Sequence, residues 1–216
     1  MSRSKEFSYP GEKATVSWNG KLCIHVGECG RADGELFVTG RKPWCQPDLA
    51  TDDEIVDVVQ RCPSGALSYE FADGSKSERA DKENTIQVVY NGPLFVRGDL
   101  QIDAAPAVPG LKFRAALCRC GQSKNKPYCD NSHLDAAFRD YGAVGKTSDR
   151  DHQSGGPLQI RAAPDGPLLI KGNVTVVSSS GRQAWRGSQA ALCRCGESSN
   201  KPFCDGTHKK VGFKSE

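Results

Sequence analysis

The sequence predicts an α+β protein built from small, metal-stabilised modules instead of one large hydrophobic core. The chain has 216 residues and 10 cysteines, it is rich in glycine, and only 7% of its residues are aromatic. A pattern of three cysteines and one histidine also occurs twice. Modules this small bury little apolar surface, so we expect bound metal to supply part of their stability.

The repeated pattern has the spacing Cys-x-Cys-x8-Cys-x3-His. Residues 115–133 and 190–208 are identical at 14 of 19 positions, so chance is a poor explanation. Three thiolates and one imidazole form a complete ligand set for a metal centre. Such soft ligands select zinc, copper(I) or iron–sulfur clusters. Structural zinc stays open as the alternative, although Cys-x-Cys better suits two thiolates on one iron. The candidate ligands are Cys118, Cys120, Cys129, His133, Cys193, Cys195, Cys204 and His208.

The second copy, with Ser198, Pro202 and the ending Cys-Asp-Gly-Thr-His at 204–208, resembles the CDGSH iron–sulfur family, the mitoNEET group. The first copy departs from the family pattern at Asn131, where the family has glycine. Asparagine tolerates left-handed backbone angles better than most residues. Chains with two such motifs resemble the tandem class, which folds as a monomeric pseudo-dimer.

The resemblance implies one [2Fe–2S] cluster in each copy. In the first copy, Cys118 and Cys120 would hold one iron, and Cys129 with His133 the other. In the second copy, Cys193 and Cys195 would hold one iron, and Cys204 with His208 the other.

Polar stretches divide the chain into three units. Residues 72–84 and 145–156 are predicted linkers, which leaves units at 10–72, 85–140 and 157–216. The second and third units are expected to pack about a pseudo-twofold axis, as a homodimer would. His152 falls in the second linker and is predicted to be exposed.

Outside the cysteines, residues 92–102 match residues 166–176. Both segments predict a β-hairpin, with Gly98 and Gly172 in the turns. A second extended segment, the ligand loop and a short helix should follow in each unit. Asp130 and Asp205 are the predicted N-caps of those helices.

The first unit carries a third candidate metal site, formed by Cys23, Cys29 and Cys62. Bacterial ferredoxins carry Cys-x2-Cys-x2-Cys and a distant Cys-Pro. Here the middle cysteine is replaced by Val26, and the distant pair is Cys62 with Pro63. Three thiolates most simply hold a [3Fe–4S] cluster.

A [4Fe–4S] cluster would need a fourth ligand, for which Cys45 and His25 are the candidates. Cys45 could instead be a small packed hydrophobe. A further alternative is that the domain keeps its fold without a cluster.

A capping box at Thr51 and Glu54 predicts a helix, with Ile55, Val58 and Val59 on one face. This helix would bring Cys62 to the site, and a closing strand should follow at 66–71. The runs Arg-Lys-Pro-Trp (41–44) and Cys-Pro-Ser-Gly-Ala-Leu (62–67) resemble a divergent family of single-cluster ferredoxins. The resemblance implies a ferredoxin-like domain over about residues 10–72.

Charge and hydrophobicity along the sequence argue against several classes of function. A net charge of +3 is too small to indicate nucleic-acid binding. No apolar stretch approaches the about 20 residues that span a bilayer, and the N-terminus lacks the apolar core of a secretory signal. A cytoplasmic location is therefore expected, where cysteines favour metal over disulfides. A disulfide-rich secreted protein is the alternative.

No catalytic motif is visible apart from the metal sites, so we do not expect an enzyme. The leading hypothesis is an electron carrier with two [2Fe–2S] clusters and one [3Fe–4S] or [4Fe–4S] cluster, working with redox partner proteins. The alternative is a cluster donor to apo iron–sulfur acceptors, or a redox or iron sensor. A structural zinc protein is a third hypothesis.

One histidine ligand per site should raise the potential above that of an all-cysteine centre. Protonation of the imidazole competes with metal, so acid should loosen the cluster. The basic residues around the loops are predicted to form a solvated face, or else to offset cluster charge and steer an acidic partner. They are Arg119, Lys124, Lys126, Arg194, Lys201, Lys209 and Lys210.

Overall fold

The computed structural model describes residues 6–103, 105–145 and 154–215, and His152 lies outside them. The fold is mostly β with few helices. Within those ranges, no helix combines the length and apolarity needed to cross a membrane. The strands are β1 (Glu6–Pro10), β2 (Ala14–Asn19), β3 (Leu67–Phe71), β4 (Thr85–Val88), β5 (Leu94–Arg97), β6 (Asp99–Ile102), β7 (Arg114–Leu117), β8 (Pro157–Ala162), β9 (Leu168–Val177) and β10 (Gln183–Leu192). The helices are α1 (Asp52–Gln60), α2 (Ser132–Asp135) and α3 (Thr207–Lys210), and short 3-10 turns lie at Pro47–Leu49 and Pro109–Lys112.

The first unit is a three-stranded antiparallel sheet, β1-β2-β3, with α1 packed against it. The predicted capping box is confirmed: the Glu54 backbone N–H donates to the Thr51 hydroxyl, and the Thr51 N–H donates to the Glu54 carboxylate. Ile55, Val58 and Val59 are buried against the sheet, as the sequence pattern predicts. The predicted closing strand is β3.

The second and third units share one seven-stranded sheet, in the order β6-β8-β9-β4-β5-β7, with β10 paired to β9. Strands of the same unit pair antiparallel. Two parallel pairings join the units, β4 with β9 and β6 with β8. In these pairings Ile86 lies opposite Val176, and Ile102 lies opposite Ile160. These are corresponding positions of the repeat, so the two exchanges are equivalent.

The hairpins predicted at Gly98 and Gly172 are wrong. β5 pairs with β4 and β7, whereas β6 continues past Gly98 to pair with β8 of the other unit. Gly98 and Gly172 have φ values of 141° and 124°, which favour glycine. A Cβ at Gly98 would lie 1.9 Å from the Asn84 side-chain oxygen, and one at Gly172 would lie 2.2 Å from the Pro157 carbonyl oxygen. At both positions, glycine therefore lies where the chain continues towards the other unit instead of turning back in a hairpin.

Asn84 ties the crossing strands together and is only 2% exposed. Its amide group donates to the carbonyl oxygens of Gly156, at 2.9 Å, and Asn173, at 2.8 Å. Its side-chain oxygen accepts from the backbone N–H of Asp99, at 3.0 Å. One side chain thus satisfies backbone groups from both units.

Arg114 holds the first unit to the second. Its guanidinium is fully buried and donates to the carbonyl oxygens of Val59, Cys62 and Leu67, at 2.6–3.0 Å. It also pairs with the Glu78 carboxylate through two hydrogen bonds of 2.7 and 2.8 Å. Glu78 lies in the predicted linker, so part of that segment is held in place.

Candidate metal centres

Each repeated ligand pattern folds into a loop that leaves a strand and enters a short helix. β7 ends at Leu117, one residue before Cys118, and α2 carries His133. In the third unit, β10 ends immediately before the second ligand loop, and α3 carries His208. Backbone bridges from Leu117 to Tyr128 and from Leu192 to Phe203 close the loops.

The candidate ligands of the first loop form two pairs. The sulfurs of Cys118 and Cys120 are 3.8 Å apart, and the Cys129 sulfur lies 3.5 Å from Nδ1 of His133. A tetrahedral metal with bonds of about 2.3 Å to sulfur and about 2.0 Å to nitrogen spaces such pairs by about 3.8 and 3.5 Å. Each pair therefore has the spacing that one metal ion requires.

The second loop has the same arrangement. The Cys193 and Cys195 sulfurs are 3.7 Å apart, and the Cys204 sulfur lies 3.3 Å from Nδ1 of His208. In the part of the chain that the structure describes, no group of three or more Cys, His, Asp or Glu side chains converges to hold a single ion.

Asp130 and Asp205 clamp the ligand loops but are not the N-cap residues. The helices begin after Asn131 and Gly206, whose φ values of 72° and 88° are left-handed. The Asp130 carboxylate accepts from the backbone N–H groups of Ser132, at 3.0 Å, and Lys124, at 2.8 Å. The N-cap prediction is wrong because each helix begins one residue later than predicted, and the aspartate side chain instead accepts hydrogen bonds from within the loop.

The two ligand loops meet backbone to backbone. A Cβ on Gly121 would lie 2.6 Å from the carbonyl oxygen of Cys195, and one on Gly196 would lie 2.8 Å from that of Cys120. Both glycines have positive φ, 80° and 88°. This reciprocal contact places the backbone at residues 120–121 of the first loop against the backbone at residues 195–196 of the second.

The three cysteines of the first unit line one cavity of about 590 Å³. Cys23, Cys29 and Cys62 reach it from two loops, and Cys62 follows α1 as predicted. Four aromatic side chains form part of its wall. The aromatic residues that line it are Phe7, Tyr9, Trp18 and Trp44.

The two candidates for a fourth ligand differ in position. Cys45 is 1% exposed, packs in the hydrophobic core of the first unit and is not among the residues that line the cavity. His25 lines the cavity, and its Nδ1 lies 3.8 Å from the Cys23 sulfur.

Comparison with known proteins finds two family matches in the chain. Residues 9–71 match the family described as a divergent 4Fe-4S mono-cluster, and residues 91–134 and 165–209 match the iron-binding zinc finger CDGSH type. The chain therefore carries a divergent 4Fe-4S mono-cluster domain followed by two CDGSH-type iron-binding domains.

The N-terminal domain also matches two known proteins over most of their length. It is 48% identical over 61 residues to the uncharacterized protein YjdI of Escherichia coli K12, a match that covers 28% of this chain and 80% of YjdI. YjdI of Escherichia coli O157:H7 matches equally. No solved structure gives a significant match to the chain.

The thiols of the CDGSH units and the N-terminal domain are held in surroundings that disfavour several negative charges at once. Burial and the neighbouring Cys62 and Cys23 raise the pKa of Cys29 to about 11. Burial also raises the pKa of Cys129 and that of Cys195 to about 11. The hydrogen bond from Cys120 lowers the pKa of Cys118 to about 6. A bound cation would offset the thiolate charges, so metal loading must displace protons.

Backbone groups already point at the ligand sulfurs. The N–H groups of Gln122, Asn131 and Gly206 donate to the sulfurs of Cys120, Cys129 and Cys204, each at 3.4 Å. Such donors stabilise thiolate charge and tune the potential of a bound cluster. The donor set therefore fits the iron–sulfur groups that the family implies.

The prediction of a solvated basic face is wrong for Arg119 and Arg194, which are 1% and 3% exposed. Arg119 donates to the carbonyl oxygens of Gly92, at 2.9 Å, and Val89, at 2.6 Å, and it pairs with Asp140. Arg194 donates to the corresponding carbonyl oxygens of its own unit, those of Gly166, at 2.9 Å, and Ala163, at 2.6 Å. These arginines brace the turn behind each ligand loop, because buried carbonyl groups there need donors.

The two CDGSH sites differ in solvent exposure. Cys129 and His133 are 3% and 8% exposed, whereas Cys204 and His208 are partly exposed. Burial and the nearby Arg119 guanidinium lower the pKa of His133. On the first site, Ile24 of the N-terminal domain packs in a hydrophobic cluster with Ala116 and Cys129.

Asn131, the departure from the family pattern, has a role that the sequence did not reveal. Its side-chain amide donates to the carbonyl oxygen of Ile24 at 2.7 Å. Ile24 lies between Cys23 and Cys29, so the contact joins the loop of the N-terminal site to that of the first CDGSH site. This partner lies 107 residues away in the sequence, so the sequence pattern around Asn131 does not indicate the contact.

Replacing Cys45 with alanine should leave the iron content unchanged, because this thiol packs in the core and does not line the cavity. Cys62→Ala should remove the iron of the N-terminal site. Iron per chain and the electron paramagnetic resonance spectrum check both variants. If Cys45→Ala loses as much iron as Cys62→Ala, Cys45 is a ligand.

Proposed function

We propose that this protein is an iron–sulfur electron carrier with two [2Fe–2S] clusters and one ferredoxin-type cluster. The observation that carries the proposal is the ligand geometry. Each CDGSH loop offers two ligand pairs, and the spacing of each pair suits one tetrahedral metal ion. Two irons per loop match this two-by-two arrangement better than one zinc ion does.

The proposed ligands follow the chain's own geometry. Cys118 and Cys120 would hold one iron of the first cluster, and Cys129 with His133 the other. Cys193, Cys195, Cys204 and His208 would do the same in the third unit. Cys23, Cys29 and Cys62 would hold a [3Fe–4S] cluster, or a [4Fe–4S] cluster if His25 supplies the fourth bond.

The two CDGSH units would act as one pseudo-twofold dimer within a monomer. The equivalent strand exchanges and the reciprocal approach of Gly121 and Gly196 support this arrangement. A closed twofold contact fixes both ligand loops rigidly against each other.

The chain itself would provide fixed spacing between its centres. Ile24 contacts Cys129, and Asn131 holds that contact in register. The clusters would supply one-electron chemistry when bound, while the protein orients them and limits solvent access. No catalytic role is proposed, and a cytoplasmic location remains a prediction from cysteine usage.

The test combines metal analysis with redox titration. We expect about seven irons per chain if the third cluster is [3Fe–4S] and about eight if it is [4Fe–4S], with about eight sulfides in either case. We also expect reversible reduction without loss of absorbance. An oxidised [3Fe–4S] centre would give an electron paramagnetic resonance signal. Zinc in a colourless protein would overturn the proposal.

The partial exposure of Cys204 and His208 favours a second candidate function, donation of the outer cluster to apo iron–sulfur proteins. Mixing with an apo-ferredoxin separates the two. Rapid transfer of the cluster spectrum would favour the donor, whereas reversible reduction with no transfer favours the carrier.

Replacing His208 with cysteine should slow acid loss of the cluster and lower its potential, because a thiolate adds negative charge. The same change at His133 should have a smaller effect on the loss rate, since that site is covered from water. Absorbance decay at acidic pH and a redox titration measure both. Equal decay of the parent and His208→Cys would refute ligation through His208.

A further inference from the structure

The N-terminal domain covers one face of the second unit. Ile24 packs there in a cluster with Ala116 and Cys129, and Phe95 packs against it. Phe95 and Ala116 are opposite each other in the β5·β7 pairing. The residue that covers this face, Ile24, belongs to the same chain.

In the part of the chain that the structure describes, the corresponding face of the third unit is open. Leu169 lies opposite Ala191 in the β9·β10 pairing, as Phe95 lies opposite Ala116. Both residues line a cavity of about 860 Å³. Ala116 is 2% exposed, whereas Ala191 is only partly buried. The repeat therefore presents the same sheet position twice, once covered and once open.

Polar groups at the edge of the face also correspond. In the covered copy, Arg97 donates to the carbonyl oxygen of Gln60 at 3.0 Å, and the neighbouring Arg114 donates to other carbonyl groups near the end of α1. In the open copy, Lys171 and Gln189 occupy the paired positions, line the cavity and are exposed. A cation and an amide can donate to the same kind of helix terminus.

We propose that this open face, defined by Leu169, Lys171, Gln189 and Ala191, docks a separate small protein of the divergent 4Fe-4S mono-cluster class. The required partner presents an apolar side chain to Leu169 and Ala191 and the carbonyl end of a helix to Lys171. Residues 9–71 of this chain present that combination to the second unit. The match to YjdI covers 80% of that protein, so the domain also exists largely by itself.

The docking is expected to be weaker than the contact within the chain. Asn131 donates to Ile24 on the covered face, whereas Gly206 stands at the corresponding position and has no side chain to donate. Loss of tethering also lowers the effective concentration of the partner. A weak, exchangeable complex suits a redox encounter. The purpose of the complex rests on the proposed carrier function, but its formation is measured independently.

Calorimetric titration of the iron-loaded full chain with Escherichia coli YjdI tests the docking. We expect a 1:1 complex with micromolar affinity, weakened about tenfold or more by Leu169→Asp. Leu49→Asp is the matched control, because Leu49 is 52% exposed on the N-terminal domain, and it should bind like the parent. No binding by the parent, or equal binding by Leu169→Asp, would overturn the proposal.

Sedimentation of the chain alone provides the second arm. A monomer is expected, and a dimer that Leu169→Asp abolishes would assign the face to a second copy and overturn the proposed partner. Leu169→Asp should retain the parent's iron content and reversible reduction. Failure of docking therefore leaves the carrier function intact, whereas failure of reduction in the parent refutes the carrier function alone.

Discussion

Replacing Arg114 with methionine is expected to lower the free energy of unfolding by about 3–5 kcal/mol, because the change leaves a buried carboxylate unpaired. The Arg114 side chain is fully buried, and that of Glu78 is 9% exposed. Carbonyl groups of Val59, Cys62 and Leu67 would also lose their donor. The loss should separate the N-terminal domain from the second unit.

Denaturant unfolding measures the stability, and limited proteolysis after residue 72 detects the separation. Arg97→Met is the control, since the Arg97 and Asp81 side chains are 36% and 49% exposed. Exposed pairs contribute only about 0–1 kcal/mol. A loss for Arg114→Met no greater than that for Arg97→Met would contradict the role given to Arg114.

Replacing Gly121 with alanine is expected to force the two ligand loops apart and release iron from both CDGSH sites. The new Cβ would lie 2.6 Å from the Cys195 carbonyl oxygen, which is backbone and cannot rotate away. Overpacking of this kind costs about 1–3 kcal/mol, and the left-handed φ adds about 1–2 kcal/mol.

Gly206→Ala separates these two costs. Gly206 has a φ of 88°, but an added Cβ would meet nothing within 4 Å. This variant should therefore lose only about 1–2 kcal/mol and keep its iron. Iron content and thermal unfolding compare the variants, and similar iron loss in both would attribute the effect to backbone strain instead of loop contact.

Local patterns predicted the local features of this protein. The capping box placed α1, because Thr51 and Glu54 satisfy each other within one turn. The helical positions of His133 and His208 followed from their spacing after a cysteine. The pairing of ligands also follows from short-range geometry, since each pair spans at most four residues.

Distant contacts explain what the sequence did not predict. Gly98 reads as a turn residue, but the strand beyond it pairs with β8, whose sequence lies more than 50 residues away. The charge of Arg119 predicts an exposed side chain, but the side chain is buried because it donates to carbonyl groups that are distant in the sequence. The sequence did not distinguish Cys45 from the candidate ligands, because the difference lies in the fold. Cys45 packs in the core, whereas the candidate ligands line the cavity.

The strand exchange also limits how this protein can be divided. β4 takes a neighbour from β9, and β6 takes one from β8. A fragment ending before residue 157 would leave both strands with open hydrogen-bonding edges, which invite pairing with other chains. We therefore expect the two CDGSH units to fold as one unit, so that cutting between them yields aggregates instead of two working modules.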